Sequence, residues 1–82
     1  MNGIALRPSV REELAGHGIT AEADDTPAIL RERLNDVYVG EVKKLRERQV
    51  RGEIPLREYA GHVAELKSRF PLLGLPLPLW ED

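Results

Sequence analysis

The sequence predicts an all-α chain: a short N-terminal helix, then a long–short antiparallel helical hairpin, then an extended Pro/Leu-rich C-terminal tail. Three observations carry that expectation. Apolar residues recur at spacings of three and four over residues 27–70. Prolines and glycines fall at the starts and ends of these stretches rather than inside them, Gly40 and Gly61 excepted. No strand-like alternation occurs before residue 71. Periodicity near 3.6 together with such punctuation is the signature of amphipathic helices joined by short turns.

The first helix is expected over residues 8–16. Pro8 suits a first helical turn, where its missing N–H costs nothing, and Val10 and Leu14 share one face. Gly16-His17-Gly18 stops it, because glycine readily takes the left-handed cap conformation. Thr20 to Asp25 forms an acidic connector. Thr26 then serves as N-cap and Pro27 as the first residue of a helix running to Arg51, with Asp24 and Asp25 beside the positive end of its dipole. Leu30, Leu34, Val37, Tyr38, Val42 and Leu45 form its apolar stripe. Gly40 interrupts the helix, either to admit a neighbouring backbone or to mark a weak bend. Gly52-Glu53-Ile54-Pro55 breaks the chain, and a third helix follows over residues 56–70 with Leu56, Tyr59, Ala60, Val63, Leu66 and Phe70 on one side. So short a connection favours antiparallel packing of the two long helices. At about 1.5 Å per residue the longer helix outruns its partner by about 15 Å, an overhang that the first helix, the tail or another chain must cover.

The tail, residues 71–82, is read as extended. Its prolines at 71, 76 and 78 exclude a helical interior. In a β-like conformation Leu73, Leu75, Leu77 and Leu79 fall on one side, with Pro76, Pro78 and Trp80 on the other; polyproline II is the alternative. So many large apolar side chains need cover, since burying each contributes roughly 1.5–3 kcal/mol. Either the tail folds back over its own hairpin, or Leu72, Leu73, Leu75, Leu77, Leu79 and Trp80 dock on another chain.

Composition narrows the function classes. The chain has 82 residues, 41% hydrophobic and 32% charged, which suits one small folded domain spanning residues 1–82. A single core of this size leaves only about 3–5 kcal/mol of net stability, so a partner subunit is an expected supplement. With no cysteine, disulfides and thiolate metal sites are excluded and a reducing cytoplasmic location is favoured. The N-terminal residues carry neither a secretory signal pattern nor a glycine at position 2 for myristoylation, and no apolar run reaches the roughly 20 residues of a membrane span. No cofactor-binding motif is present.

Candidate sites are sparse. His17 lies in a glycine turn. His62 has Glu58 and Glu65 at helical offsets of four and three but falls off the apolar stripe, as an ordinary surface residue would. Ser9, Thr20, Thr26 and Ser68 occupy no nucleophile or phosphate-binding context, and Ser9 and Thr26 have capping roles. Catalysis is therefore not expected. A basic cluster, Lys43, Lys44, Arg46, Arg48 and Arg51, gives residues 27–51 a net charge of +3, against −3 over residues 1–26 and −2 over residues 52–82. Such a cluster suits a helix C-terminus and is also able to meet a phosphate backbone.

Residues Val10-Arg11-Glu12-Glu13-Leu14-Ala15-Gly16-His17-Gly18-Ile19, the connector, and Leu30-Arg31-Glu32-Arg33-Leu34 are similar in layout to the helix–loop–helix of SAP-type nucleic-acid-binding modules. The likeness covers roughly 25 residues and implies nucleic-acid contact. Glu22, Asp24 and Asp25 stand where such modules usually carry basic residues, which opposes DNA.

The expected function is that of a small non-catalytic accessory or adaptor subunit. It binds protein through the hairpin and tail, as a homo-oligomer or within a larger complex. A nucleic-acid-associated regulator using the basic cluster is the alternative.

Overall fold

A computed structural model describes residues 6–81. Helix α1 spans Pro8–Gly16, α2 Pro27–Val50 and α3 Leu56–Ser68, and two 3₁₀ turns follow at Pro71–Gly74 and Leu77–Trp80. The all-α class with a short first helix and a helical hairpin is as the periodicity predicts. The molecule is elongated, 52 × 18 × 17 Å.

The helix ends follow local chemistry. Beyond α1, Gly18 takes φ +77°, its N–H bonds Ala15 O, and the Ile19 N–H reaches Leu14 O at 2.9 Å. This is a Schellman cap, with buried Leu14 and Ile19 supplying the apolar contact that accompanies it. The same motif closes α2: Gly52 takes φ +85°, its N–H bonds Gln49 O, and the Glu53 N–H meets Arg48 O at 2.8 Å. Here an Arg48–Glu53 ion pair at 3.4 Å joins the residues that an apolar contact usually links. At the start of α2, Thr26 Oγ1 accepts from the Ile29 N–H at 3.2 Å, as an N-cap should. Ser9 is no cap: Arg7 holds that position on α1 without a side-chain bond. Helix α3 ends two residues before the expected boundary, because Phe70 precedes a proline and takes φ −123°, ψ 56°. Nothing lies within 4 Å of where a Cβ would stand on Gly40, so close backbone approach does not explain that glycine.

The core lies at one end of the hairpin. Val10 and Leu14 of α1, Leu30 and Leu34 of α2, Leu66 and Phe70 at the end of α3, and Leu72 and Trp80 form one buried cluster with Leu6 and Ile19. The first half of α2, the expected overhang, is thus covered by α1 and the tail.

The tail corrects the sequence expectation. It is not extended: it folds into two 3₁₀ turns closed by bonds such as Leu75 N–H to Leu72 O and Leu79 N–H to Pro76 O, and Leu79 is 42% exposed while Leu73, Leu75 and Leu77 pack on the core. Prolines 71 and 78 sit in the opening positions of these turns, where no N–H is needed. The prohibition that proline imposes holds for helix interiors, and a turn of four residues has none. Trp80 is fully buried, and its indole N–H donates to Leu75 O at 3.0 Å. The Arg7 N–H donates to Trp80 O, and Leu6 and Glu81 form an isolated antiparallel bridge, so the two ends of the described chain are tied together.

Candidate functional site

Beyond the core, the second half of α2 and the first half of α3 project as a two-helix arm. Two helices alone bury only the seam between them, and the arm shows it: Val42, Leu45, Tyr59 and Val63 are only half-buried. Ile54 in the connecting turn is the exception, at 2% exposed. At the tip, Val50 and Leu56 are each 72% exposed.

At about 100° per residue, the two flanks of this arm differ in chemistry. One carries Glu41, Lys44 and Arg48 from α2, His62 and Glu65 from α3, and Arg69 just beyond its end, around a groove of about 310 Å³. Its charges are mutually engaged: Lys44–Glu41 at 2.9 Å and Arg69–Glu65 at 3.3 Å, with Arg48 on Glu53. The opposite flank carries Val39, Val42, Arg46 and Gln49 from α2 and Leu56, Ala60 and Val63 from α3. Toward the core this second flank is covered by the tail. Leu73 and Leu77 lie beside Ala28, Arg31, Glu32 and Asn35, and Arg31 Nη2 donates to Leu73 O at 3.3 Å. Further along this flank Val42 and Val63 are half-buried, while Val39 is 39% and Leu56 72% exposed.

The basic cluster is divided between faces. Lys44 and Arg48 line the charged groove and are ion-paired, while Arg51, paired with Glu53 at 2.9 Å, lies beside Lys43 and Arg46 around a separate depression. Lys43 and Arg46 point away from α3 and make no ion pair among the described residues. The five cations of the cluster are therefore split, two on the charged groove and three on the other side. Of the tail residues, Leu72 and Trp80 belong to the protein's own core; Leu73, Leu75 and Leu77 are partly buried against it, and Leu79 is 42% exposed. In this arrangement Leu72 and Trp80 are closed to another chain.

His17 is more than a turn residue. Its ring stacks on Phe70 at 4.1 Å between centroids, and its Nε2–H donates to Arg69 O at 2.9 Å. Tyr38 meets the same Phe70 edge-on at 5.3 Å. This three-ring stack locks the end of α1 to the end of α3 and to α2. His62 lies in the charged groove with Glu65. Among the described residues no group of three or more His, Cys, Asp or Glu side chains is placed to hold a metal ion, and no helix is long and apolar enough to cross a membrane.

The acidic connector has a structural role. Asp25 is 7% exposed and accepts from the Glu22 N–H at 2.9 Å and from Arg33 Nη1 at 2.8 Å. The Glu22 N–H, and after it the Arg33 guanidinium, hold the Asp25 carboxyl below its ordinary value of 3.8, partly offset by burial. A carboxyl with a depressed folded value stabilises the fold in full above its unfolded value and loses that contribution as pH falls through 3.8 toward the folded value. Asp25→Asn is therefore expected to lower the urea midpoint at neutral pH and to flatten the acid limb of the stability–pH profile. Equal acid limbs in the two proteins would contradict this.

No family model, no curated protein and no solved structure matches the chain.

Proposed function

We propose that this protein is a non-catalytic protein-binding subunit, and that its binding element is the two-helix arm. The observation that carries the reading is the arm's uncovered apolar flank, ending in Val50 and Leu56 at the tip. Val42 and Leu45 tie the base of the arm to the core, whereas Val50 and Leu56 at its tip are 72% exposed and add little to the protomer's own packing. Exposed apolar surface of this kind, rimmed by polar residues, suits a protein interface. The tail, packed on its own hairpin, contributes at most its outer leucines. Two of the four Ser and Thr hydroxyls have structural roles: Thr26 caps α2, and the Ser68 hydroxyl donates to Glu65 O at 2.6 Å.

The test exploits that exposure. Because Val50 and Leu56 are mostly in solvent, Val50→Asp with Leu56→Asp should change stability by only about 0.5 kcal/mol per site. In extracts of cells that make the protein, the wild-type chain is expected to migrate well above its 9.2 kDa monomer mass. The doubly substituted chain is expected at the monomer position, with an unchanged helical circular-dichroism spectrum. Monomer migration by both chains would refute the reading.

A further inference from the structure

We propose that the partner is a second copy of this chain, docked antiparallel through the outward face of α2 about a two-fold axis near Val39. This rests on the reading of the arm as a protein-binding element and extends it to a face and an orientation. Ile29, Glu32, Asp36, Val39, Lys43, Arg46 and Val50 are spaced by alternating three and four residues, a heptad-like seam on the side of α2 turned away from α3. It is separate from the stripe that faces the core, and all seven side chains are exposed. Over about 32 Å it has apolar residues at both ends and at the middle.

At the seven seam positions the charges are sorted by sign, with Glu47, at the rim beside Lys43 and Arg46, the one acid in the basic half. Glu32 and Asp36 are four residues apart in the first half; Lys43 and Arg46 are three apart in the second. Within one helix these spacings set like beside like, which is unfavourable. The helix dipole does not account for the sorting, because its influence fades within the first and last turn and Asp36 and Lys43 lie well inside. Among the described residues none of the four has an ion-pair partner, whereas Arg33, Lys44, Arg48 and Arg51 all do. An antiparallel second copy resolves the arrangement. It sets Glu32 and Asp36 opposite the copy's Arg46 and Lys43, brings Ile29 to the copy's Val50 at both ends, and places Val39 against itself. A parallel copy would oppose like charges throughout. Two-fold symmetry makes the contact self-complementary, so it closes at a dimer.

Sedimentation of the purified chain from roughly 1 μM to 1 mM is expected to show a monomer–dimer equilibrium that weakens with added salt. Lys43→Glu with Arg46→Glu, and separately Glu32→Lys with Asp36→Lys, should each raise the dissociation constant by about tenfold or more. Mixing the two reversed chains should restore association. Since the chain has no cysteine, orientation is read by oxidation. Ile29→Cys should cross-link to Val50→Cys when the two are mixed, and neither should cross-link to itself. A purified wild-type chain that is monomeric throughout, dimers indifferent to both reversals, or self-linking single-cysteine chains would each overturn the proposal. A monomeric purified chain that still assembles in extract, with assembly lost in the Val50→Asp/Leu56→Asp chain, would remove the second copy and leave the protein-binding reading standing.

Discussion

Trp80→Ala is expected to unfold most of the protein at room temperature. The indole is the largest fully buried side chain, at 0% exposure, and it sits where the tail, α1 and α2 converge. Truncating a buried tryptophan costs about 3–5 kcal/mol. A core of this size leaves a net stability of about the same magnitude. The two figures together put the variant near or below its folding midpoint without denaturant. The substitution also strips Leu75 O of its indole donor and loosens the bridge that ties Leu6 to Glu81. Trp80→Phe is the control: it keeps most of the apolar volume, loses the hydrogen bond, and should remain folded with a lower urea midpoint. Far-UV circular dichroism is the suitable probe, since the only tryptophan is the residue replaced. A Trp80→Ala chain that melts within a few degrees of wild type would show that the tail is dispensable to the fold.

The helices and their breaks were legible in the sequence because their causes are local. Pro8, Pro27 and Pro55 can act only at helix starts, and Gly18 and Gly52 supply the two positive-φ positions that the Schellman caps require. The tail was less legible. Its prolines rule out a long helix but are equally compatible with a strand, with polyproline II and with 3₁₀ turns; which one forms depends on the cavity left by α1 and α2, a tertiary fact. The roles of charged residues followed the same division. Lys43 to Arg51 read as one cluster along the chain, yet the helix turns about 100° per residue and deals them to opposite faces. Asp25 read as a dipole partner, and it is instead held by a backbone N–H and by Arg33, eight residues along. The outward seam of α2 was present in the sequence, overshadowed by the stronger apolar stripe facing the core.

The pair most remote from any sequence signal is His17 with Phe70, and it supports the second large prediction. Phe70 is 4% exposed and receives two rings, His17 face-on and Tyr38 edge-on. Phe70→Ala should cost about 3–5 kcal/mol, comparable to the loss of Trp80. His17→Ala removes one hydrogen bond, about 0.5–1.5 kcal/mol, and one ring contact of about 0.5–1.5 kcal/mol beyond its area. If the stack acts as a unit, the double variant should lose less than the sum of the single losses, by about 0.5–1.5 kcal/mol. Urea midpoints for the wild type, His17→Ala and two Phe70 variants supply the cycle, with Phe70→Leu replacing Phe70→Ala if the latter does not fold. Strict additivity would mean that His17 is held by its bond to Arg69 O alone and that the ring contact is incidental. Coupling would mean that α1 is fastened to α3 by aromatic packing across a separation of more than fifty residues. The arm would then project from a base rigid enough to present it.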